Sequence, residues 1–220
     1  MRLSIRPILK LAAIAADATF SLTAQAVPGL TGWTGGGLAT SGSDQLYGWI
    51  FTANSTFDVS ALGVYDTDGD GDGLSIAHDV GLFNRTTHAL IVSTTVGAGV
   101  AGTLDAGFRY TALGSNVQLT AGDYVIVMTM PVGTADTQFI NASAPTTDAR
   151  ISYITSAFDS GSVLAFPNPI NNGAFKEGMF GPNFEIVAAN VPEPETYALM
   201  LAGLGALGFV ARRRRASFQG

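Results

Sequence analysis

Asp123-Tyr124-Val125-Ile126-Val127-Met128-Thr129-Met130 is the stretch whose pattern decides what kind of fold this chain adopts. A strand sends successive side chains to opposite faces, so Tyr124, Ile126 and Met128 fall on one side and Val125, Val127 and Thr129 on the other. Both sides are largely apolar. That predicts a central strand covered on two faces, not an edge strand with one face in water.

Further runs of the same kind lie on either side, at residues 46–52, 56–65, 79–84, 88–96, 106–112, 116–119, 149–155 and 183–187. They are short, alternating or rich in β-branched and aromatic residues. Turn signals separate them, among them Gly69-Asp70-Gly71-Asp72-Gly73, Leu113-Gly114-Ser115, Ala121-Gly122 and Asn171-Asn172-Gly173. No ten-residue window carries an apolar helical stripe with a charged opposite face. The pattern predicts an all-β fold, a single antiparallel β-sandwich of jelly-roll type. Residues 29–42, with Gly35-Gly36-Gly37, read as loop or linker.

Residues 27–190 are enough for one domain with a substantial core, not two. They carry four basic residues (Arg85, Arg109, Arg150, Lys176) against fourteen acidic ones, a net charge of about −10, whereas the whole chain has −6 because seven of its eleven cations lie outside them. Such a surface disfavours nucleic acid and anionic lipid and suits divalent cations. The chain has no cysteine, which excludes disulfides, thiolate metal sites and a cysteine nucleophile.

The chemically suggestive cluster is Asp66-Thr67-Asp68-Gly69-Asp70-Gly71-Asp72-Gly73. Alternating carboxylates followed by a glycine for a sharp turn reproduce the first half of an EF-hand loop, where hard oxygen ligands converge on calcium. Asp66, Asp68, Asp70 and Asp72 are the candidate ligands. The second half of that pattern is missing, since Ala77 stands where the bidentate glutamate belongs and neither flank reads as helix. Two readings stay open: a calcium site, or a solvated acidic turn.

His78 and His88 lie on different segments and make no metal triad; His78 reads as a hydrogen-bonded residue at the sandwich rim. No Gly-x-Ser-x-Gly elbow occurs, and no acid pair stands on a glycosidase motif, so no catalytic residue is assigned and the chain reads as non-enzymatic. Gly97-Ala98-Gly99-Val100-Ala101-Gly102 matches a dinucleotide fingerprint in spelling, but residues 103–110 read as a strand, not the helix that a pyrophosphate needs. Trp33, Tyr47, Trp49 and Tyr153 are candidates for a sugar-stacking surface, against the commoner reading of aromatic residues in strands as core.

The two ends read as addresses. Arg2, Arg6 and Lys10 precede an apolar region at residues 8–16, and Ala24-Gln25-Ala26 has the small-x-small form cut by signal peptidase, so residues 1–26 read as a Sec signal peptide with Val27 as the mature start. At the other end, Pro192 and Pro194 make residues 191–195 a stiff, extended spacer. Residues 197–211 follow without a charge, about 22 Å as a helix against a hydrocarbon core of about 30 Å, which reads as a short transmembrane helix. Arg212, Arg213, Arg214 and Arg215 then hold that end on the cytoplasmic side.

Val191-Pro192-Glu193-Pro194, the short Gly/Ala/Leu helix and the arginine cluster together resemble the PEP-CTERM sorting signal of exported Gram-negative proteins, a pattern that also circulates as an "ice-binding protein C-terminal domain". The resemblance covers residues 191–220. It implies recognition near the Pro-Glu-Pro by an exosortase, a membrane-embedded transpeptidase-like cysteine enzyme, and release to the outer surface or exopolysaccharide matrix. A looser resemblance rests on Ala61-Leu62-Gly63-Val64-Tyr65-Asp66, Asp72-Gly73-Leu74, His78-Asp79-Val80-Gly81-Leu82-Phe83, Gly107-Phe108-Arg109-Tyr110 and Leu119-Thr120-Ala121-Gly122-Asp123-Tyr124. These are similar to an uncharacterised β-sandwich module of bacterial surface proteins, which implies a fold and no activity.

The expectation is therefore an exported surface or biofilm-matrix protein. The Sec machinery, signal peptidase, exosortase and, transiently, the inner membrane are its processing partners. Polysaccharide is the candidate ligand, and nucleic acid is excluded. The alternatives are a carbohydrate-binding or ice-binding module, which needs an aromatic platform or a flat regular face, and, more remotely, a glycan hydrolase, which needs two carboxylates about 5–10 Å apart in a cleft.

Overall fold

The computed structural model describes residues 26–66, 72–167 and 178–187, together with 203–204. Its centre is β10 (Gly122–Met130), the third strand of a five-stranded antiparallel sheet. The order in that sheet is β12 (Ile151–Ser160), β4 (Gln45–Ala53), β10, β6 (His78–Asn84) and β7 (Leu90–Val96). Tyr124, Ile126 and Met128 enter the main core, while Val125 and Val127 join Leu46, Ile50, Phe83 and Ala157 on the other face, closed by Leu164 and Phe166. The strand is thus covered on both faces, as its composition requires.

A second sheet packs on the inner face of the first, in the order β1 (Ala26–Pro28), β14 (Pro182–Val187), β5 (Phe57–Tyr65), β9 (Phe108–Leu119) and β8 (Thr103–Asp105). The two sheets meet through aromatic rings. Phe184 stacks on Trp49 at 5.6 Å and 18°, meets Phe51 at 4.9 Å and lies parallel to Phe57 at 6.3 Å. Trp49 is fully buried, and its indole Nε1–H donates to the Pro182 carbonyl at 2.8 Å, so its polar atom is satisfied inside the core. The chain crosses between the sheets repeatedly, β4 to β5, β5 to β6, β7 to β8 and β9 to β10, which makes this an antiparallel sandwich.

Three details differ from the sequence-based expectation. Residues 29–42 are not a linker: β2 (Leu30–Thr34) and β3 (Gly37–Ala39) both pair with β11 (Gln138–Thr147), and with β13 (Gly178–Phe180) they form a third sheet. Gly36 sits at φ +79°, where a Cβ would meet the Ile140 carbonyl at 2.8 Å, so the glycines let the chain turn close against β11. Second, Leu113-Gly114-Ser115 is not a turn between two strands. Val59 pairs with Val117 and Ala61 with Ala112, so residues 113–116 bulge out of one continuous strand opposite Ser60. Third, β11 carries no strand signature; Asn141 and Ala144 have φ of 56° and 47°, and its ladders shift register, so pairing on both edges holds a segment that local propensity would not.

Residues 1–25 of the expected signal peptide lie outside the described residues, as do all of 197–211 except Gly203 and Leu204, which are helical. Among the described residues no helix is long and apolar enough to cross a membrane.

Candidate functional site

The acidic loop leaves β5 and re-enters at β6, and both of its stems are fixed. At the first stem the Asp66 amide donates to the Gly107 carbonyl at 2.8 Å. The Asp66 carboxylate pairs with Arg109 of β9, whose Nε–H donates to Oδ2 at 2.6 Å and whose Nη2 also reaches it. This pair is buried, with the side chains 3 % and 8 % exposed.

At the second stem Gly73, with φ +85°, passes so close to Gly99 that a Cβ would lie 2.3 Å from the Gly99 carbonyl oxygen. Leu74 and Gly99 then exchange backbone hydrogen bonds. The next two amides are held by Asp136: Ser75 N–H donates to Oδ1 at 2.6 Å and Ile76 N–H to Oδ2 at 3.2 Å. Asp136 Oδ2 also accepts from the Thr134 hydroxyl at 2.9 Å and lies 2.7 Å from His78 Nε2. His78 Nδ1 lies 2.7 Å from the Thr129 carbonyl. Both ring nitrogens of this fully buried histidine therefore face oxygen acceptors, and the network is satisfied with a proton on each. Burial pushes the Asp136 carboxyl up, but hydrogen bonds from His78, the Ser75 amide and Thr134, with the charge of His78, outweigh it and hold the group well below the usual carboxylate range.

This placement answers several sequence-level questions. His78 is a hydrogen-bonded residue, the first of β6 at the end of the sheet, and it is fully buried there. The Ser75 hydroxyl pairs with Thr134 at 2.9 Å, and both His78 nitrogens are committed, so Ser75, His78 and Asp136 do not form a relay in which histidine activates serine. Among the candidate calcium ligands, Asp66 is committed to Arg109, Asp72 is exposed at the second stem, and Asp68 and Asp70 lie outside the described residues. A guanidinium on Asp66 competes with a divalent ion for the same oxygens. Among the described residues no group of three or more His, Asp or Glu side chains is placed to hold a metal. Calcium ligation by this loop predicts stabilisation by about 1–3 kcal/mol at 10 mM calcium, the linkage for a dissociation constant of about 0.1–1 mM. Thermal melts of wild type and Asp70→Ala check it, and equal shifts in the two remove the ion from the reading.

The aromatic candidates are packed into the interior. Trp49 and Tyr47 are buried, and Trp33 is half-buried, edge-on to Tyr65 at 5.7 Å and to Phe139 at 4.7 Å. Tyr153 is half-buried against Trp49 and Phe180. These four rings form no exposed coplanar pair on which a sugar could stack. On the outer Thr/Ser-bearing pair β2–β11, Thr31 donates to the Thr146 carbonyl, and Thr34 and Ser143 donate to each other's carbonyls, so these hydroxyls are spent within the sheet.

One acidic feature was not anticipated. Burial, and then the charge of Asp105, pushes the Glu185 carboxyl of β14 up. The neighbouring Tyr110 hydroxyl is buried without a hydrogen-bond partner and is likewise pushed up, by burial first and then by Glu185 and Asp105. No motif in the sequence marks it, because the three residues come from separate strands.

Each of the three described arginines is paired with an acid: Arg85 with Asp123, Arg109 with Asp66 and Arg150 with Asp148. Hydrogen bonding from Arg150 holds the Asp148 carboxyl below its usual range. The cations are thus neutralised locally, and the remaining carboxylates set the sign of the surface.

Residues 190–215 match the family model of the PEP-CTERM protein-sorting motif. The match begins three residues after the end of β14 and takes in the Pro-Glu-Pro spacer, the apolar segment and the four arginines. It marks an exported protein that carries a membrane-anchored C-terminal sorting signal until exosortase processes it. No curated protein matches the chain.

Proposed function

We propose that the chain is a non-enzymatic structural protein of the cell surface or exopolysaccharide matrix, delivered as a folded acidic β-sandwich and freed from the inner membrane by exosortase at the Pro-Glu-Pro. The observation that carries this reading is the sorting motif at residues 190–215, which begins three residues after the last described strand of the sandwich. The sandwich supports it in three ways. The aromatic rings are spent on the core, the histidine and serine next to the acidic loop are spent on hydrogen bonds that pin it, and the arginines are spent on acids. The unpaired charge that remains outward is carboxylate, which keeps the domain dispersed in an aqueous polysaccharide matrix and bridges to other anionic material through divalent cations. In this reading Ala26 is the last residue of the Sec signal peptide, residues 197–211 are the transient anchor, and Arg212 to Arg215 keep its end in the cytoplasm.

Deleting Pro192 to Pro194 tests it. The variant is expected to stay uncut in the inner-membrane fraction at full precursor length, while wild type reaches the outer surface or medium in shortened form. Release of the deletion variant at the wild-type rate overturns the assignment.

A further inference from the structure

The expected signal-peptidase site and the root of the sorting signal are the two strands of one ladder. In β1, Ala26 pairs with Val187, Val27 with Ile186 and Pro28 with Glu185 of β14. The pairing continues past β1. Gly29 N–H donates to the Phe184 carbonyl at 2.7 Å, and the Asn183 side chain clamps Leu30 from both sides, accepting from its amide at 3.1 Å and donating to its carbonyl at 2.8 Å. Gly29 itself lies against the Phe184 ring, where a Cβ would meet it at 2.9 Å. The Ala26–Val27 peptide bond thus joins the first two paired residues of a formed antiparallel ladder, with both side chains half-buried.

We infer that β14 closes the signal-peptidase site, so that removal of residues 1–26 must come before the last strand docks, whereas the sorting cut comes after. This rests on reading Ala24-Gln25-Ala26 as a signal-peptidase site. A protease that cuts next to the membrane must take the chain as an extended strand in its own cleft, with the peptide bond free of other partners. In the closed sandwich the same bond already lies between paired residues, with Asn183 clamping the chain at Leu30 just beyond, and the enzyme gains it only by opening the ladder. The partner strand is also the last described strand to be made, since Ile186 lies 159 positions after its partner Val27. During export the first strand therefore stands unpaired until nearly the whole chain has crossed, and that interval is the one in which the bond is open.

The second cut has the opposite requirement. Pro192 lies five residues beyond Val187, a reach of at most about 18 Å of extended chain, and like Pro194 it lacks the N–H that a ladder needs. Docking of β14 therefore does not call for pairing of the Pro-Glu-Pro, and it brings the finished domain close to the membrane. The register also places the two roots side by side: with Ala26 opposite Val187, an uncut chain has its signal peptide and its sorting helix leaving the sandwich from neighbouring strands at one end. A precursor that folds before its first cut is therefore tethered through both, and exosortase acting on it would leave it held by the uncut signal peptide.

The test uses full-length precursor in detergent micelles, incubated with purified signal peptidase, with the product's N-terminus sequenced. Two samples are compared. One is wild type, folded by circular dichroism; the other is Trp49→Ala/Phe184→Ala, which removes both rings of a stacked pair joining the sheets and is chosen as unfolded by the same measurement. The unfolded sample is expected to be cut between Ala26 and Val27 at least tenfold faster than the folded one. Equal rates at that bond overturn the inference and leave the signal-peptide assignment standing. Failure to cut the unfolded chain at that bond overturns the assignment, and the inference with it. In cells, an Asn183→Ala precursor, which loses the clamp on Leu30, is expected to show a smaller uncut fraction than wild type, and a larger one counts against the inference.

Discussion

Asp136→Ala is expected to lower stability by about 3–5 kcal/mol, the cost of removing one member of a buried ion pair. The loss has three parts. The Ser75 and Ile76 amides lose their acceptor, the Thr134 hydroxyl loses one of its partners, and His78 Nε2 is left facing an apolar gap. A neutral imidazole with its proton on Nδ1 keeps the bond to the Thr129 carbonyl, which keeps the cost from rising further. Asp136→Asn is expected to fall between wild type and the alanine variant, because its one carbonyl oxygen still accepts from a backbone amide while its NH2, a donor, cannot replace the second acceptor. Urea denaturation at neutral pH measures both.

The pH dependence of the same group has a definite sign. The folded-state carboxyl of Asp136 lies below the value of an unfolded aspartate, about 3.9. Its contribution is therefore complete above that value and is lost as pH falls below about 4 towards the folded-state value. Wild type is expected to lose more stability between about pH 4 and pH 2 than Asp136→Asn, and parallel acid profiles in the two proteins would show that the carboxylate is not what the fold depends on there.

Where the sequence was legible, one face or one register carried the signal. Residues 123–130 show both apolar faces in a single run, and the structure spends each on a different cluster. The Pro-Glu-Pro, apolar segment and arginines are a linear address, which physical order along the chain is enough to reveal. The third sheet was illegible for the opposite reason. Residues 29–42 and 138–147 contain glycine, asparagine and alanine in positions that a turn would use, and only their mutual pairing across more than one hundred residues makes them strands. The acidic loop shows the same limit in chemistry. Its spacing resembles a cation site because Asp66 looks like one more ligand in a series. Nothing local says that Arg109, from a strand 43 residues on, already occupies that carboxylate. The ladder of Ala26 with Val187 is likewise invisible in either terminal segment alone, although each was readable as a processing site.

Arg109→Ala is expected to cost a further about 3–5 kcal/mol on its own, for it leaves the Asp66 carboxylate buried without its counter-charge. The arginine stem also fills space, its Cγ lying near Gly102, so the truncation opens a gap as well. Two companion proteins separate the pair's electrostatics from its packing. In Arg109→Met/Asp66→Leu both charges go while the volume stays, and stability is expected to return to within about 1 kcal/mol of wild type or to exceed it, because a paired charge in the interior repays little more than its desolvation. In Asp66→Leu alone the guanidinium is stranded, and the loss is expected to resemble that of Arg109→Ala. The single arginine variant also bears on the acidic loop. Once the guanidinium is gone, a divalent cation is the counter-charge within reach of Asp66, so 10 mM calcium is expected to raise the Tm of Arg109→Ala by more than that of wild type. An equal response in the two proteins would mean that Asp66 serves only the fold, and that whatever the loop binds is held by Asp68, Asp70 and Asp72 without it.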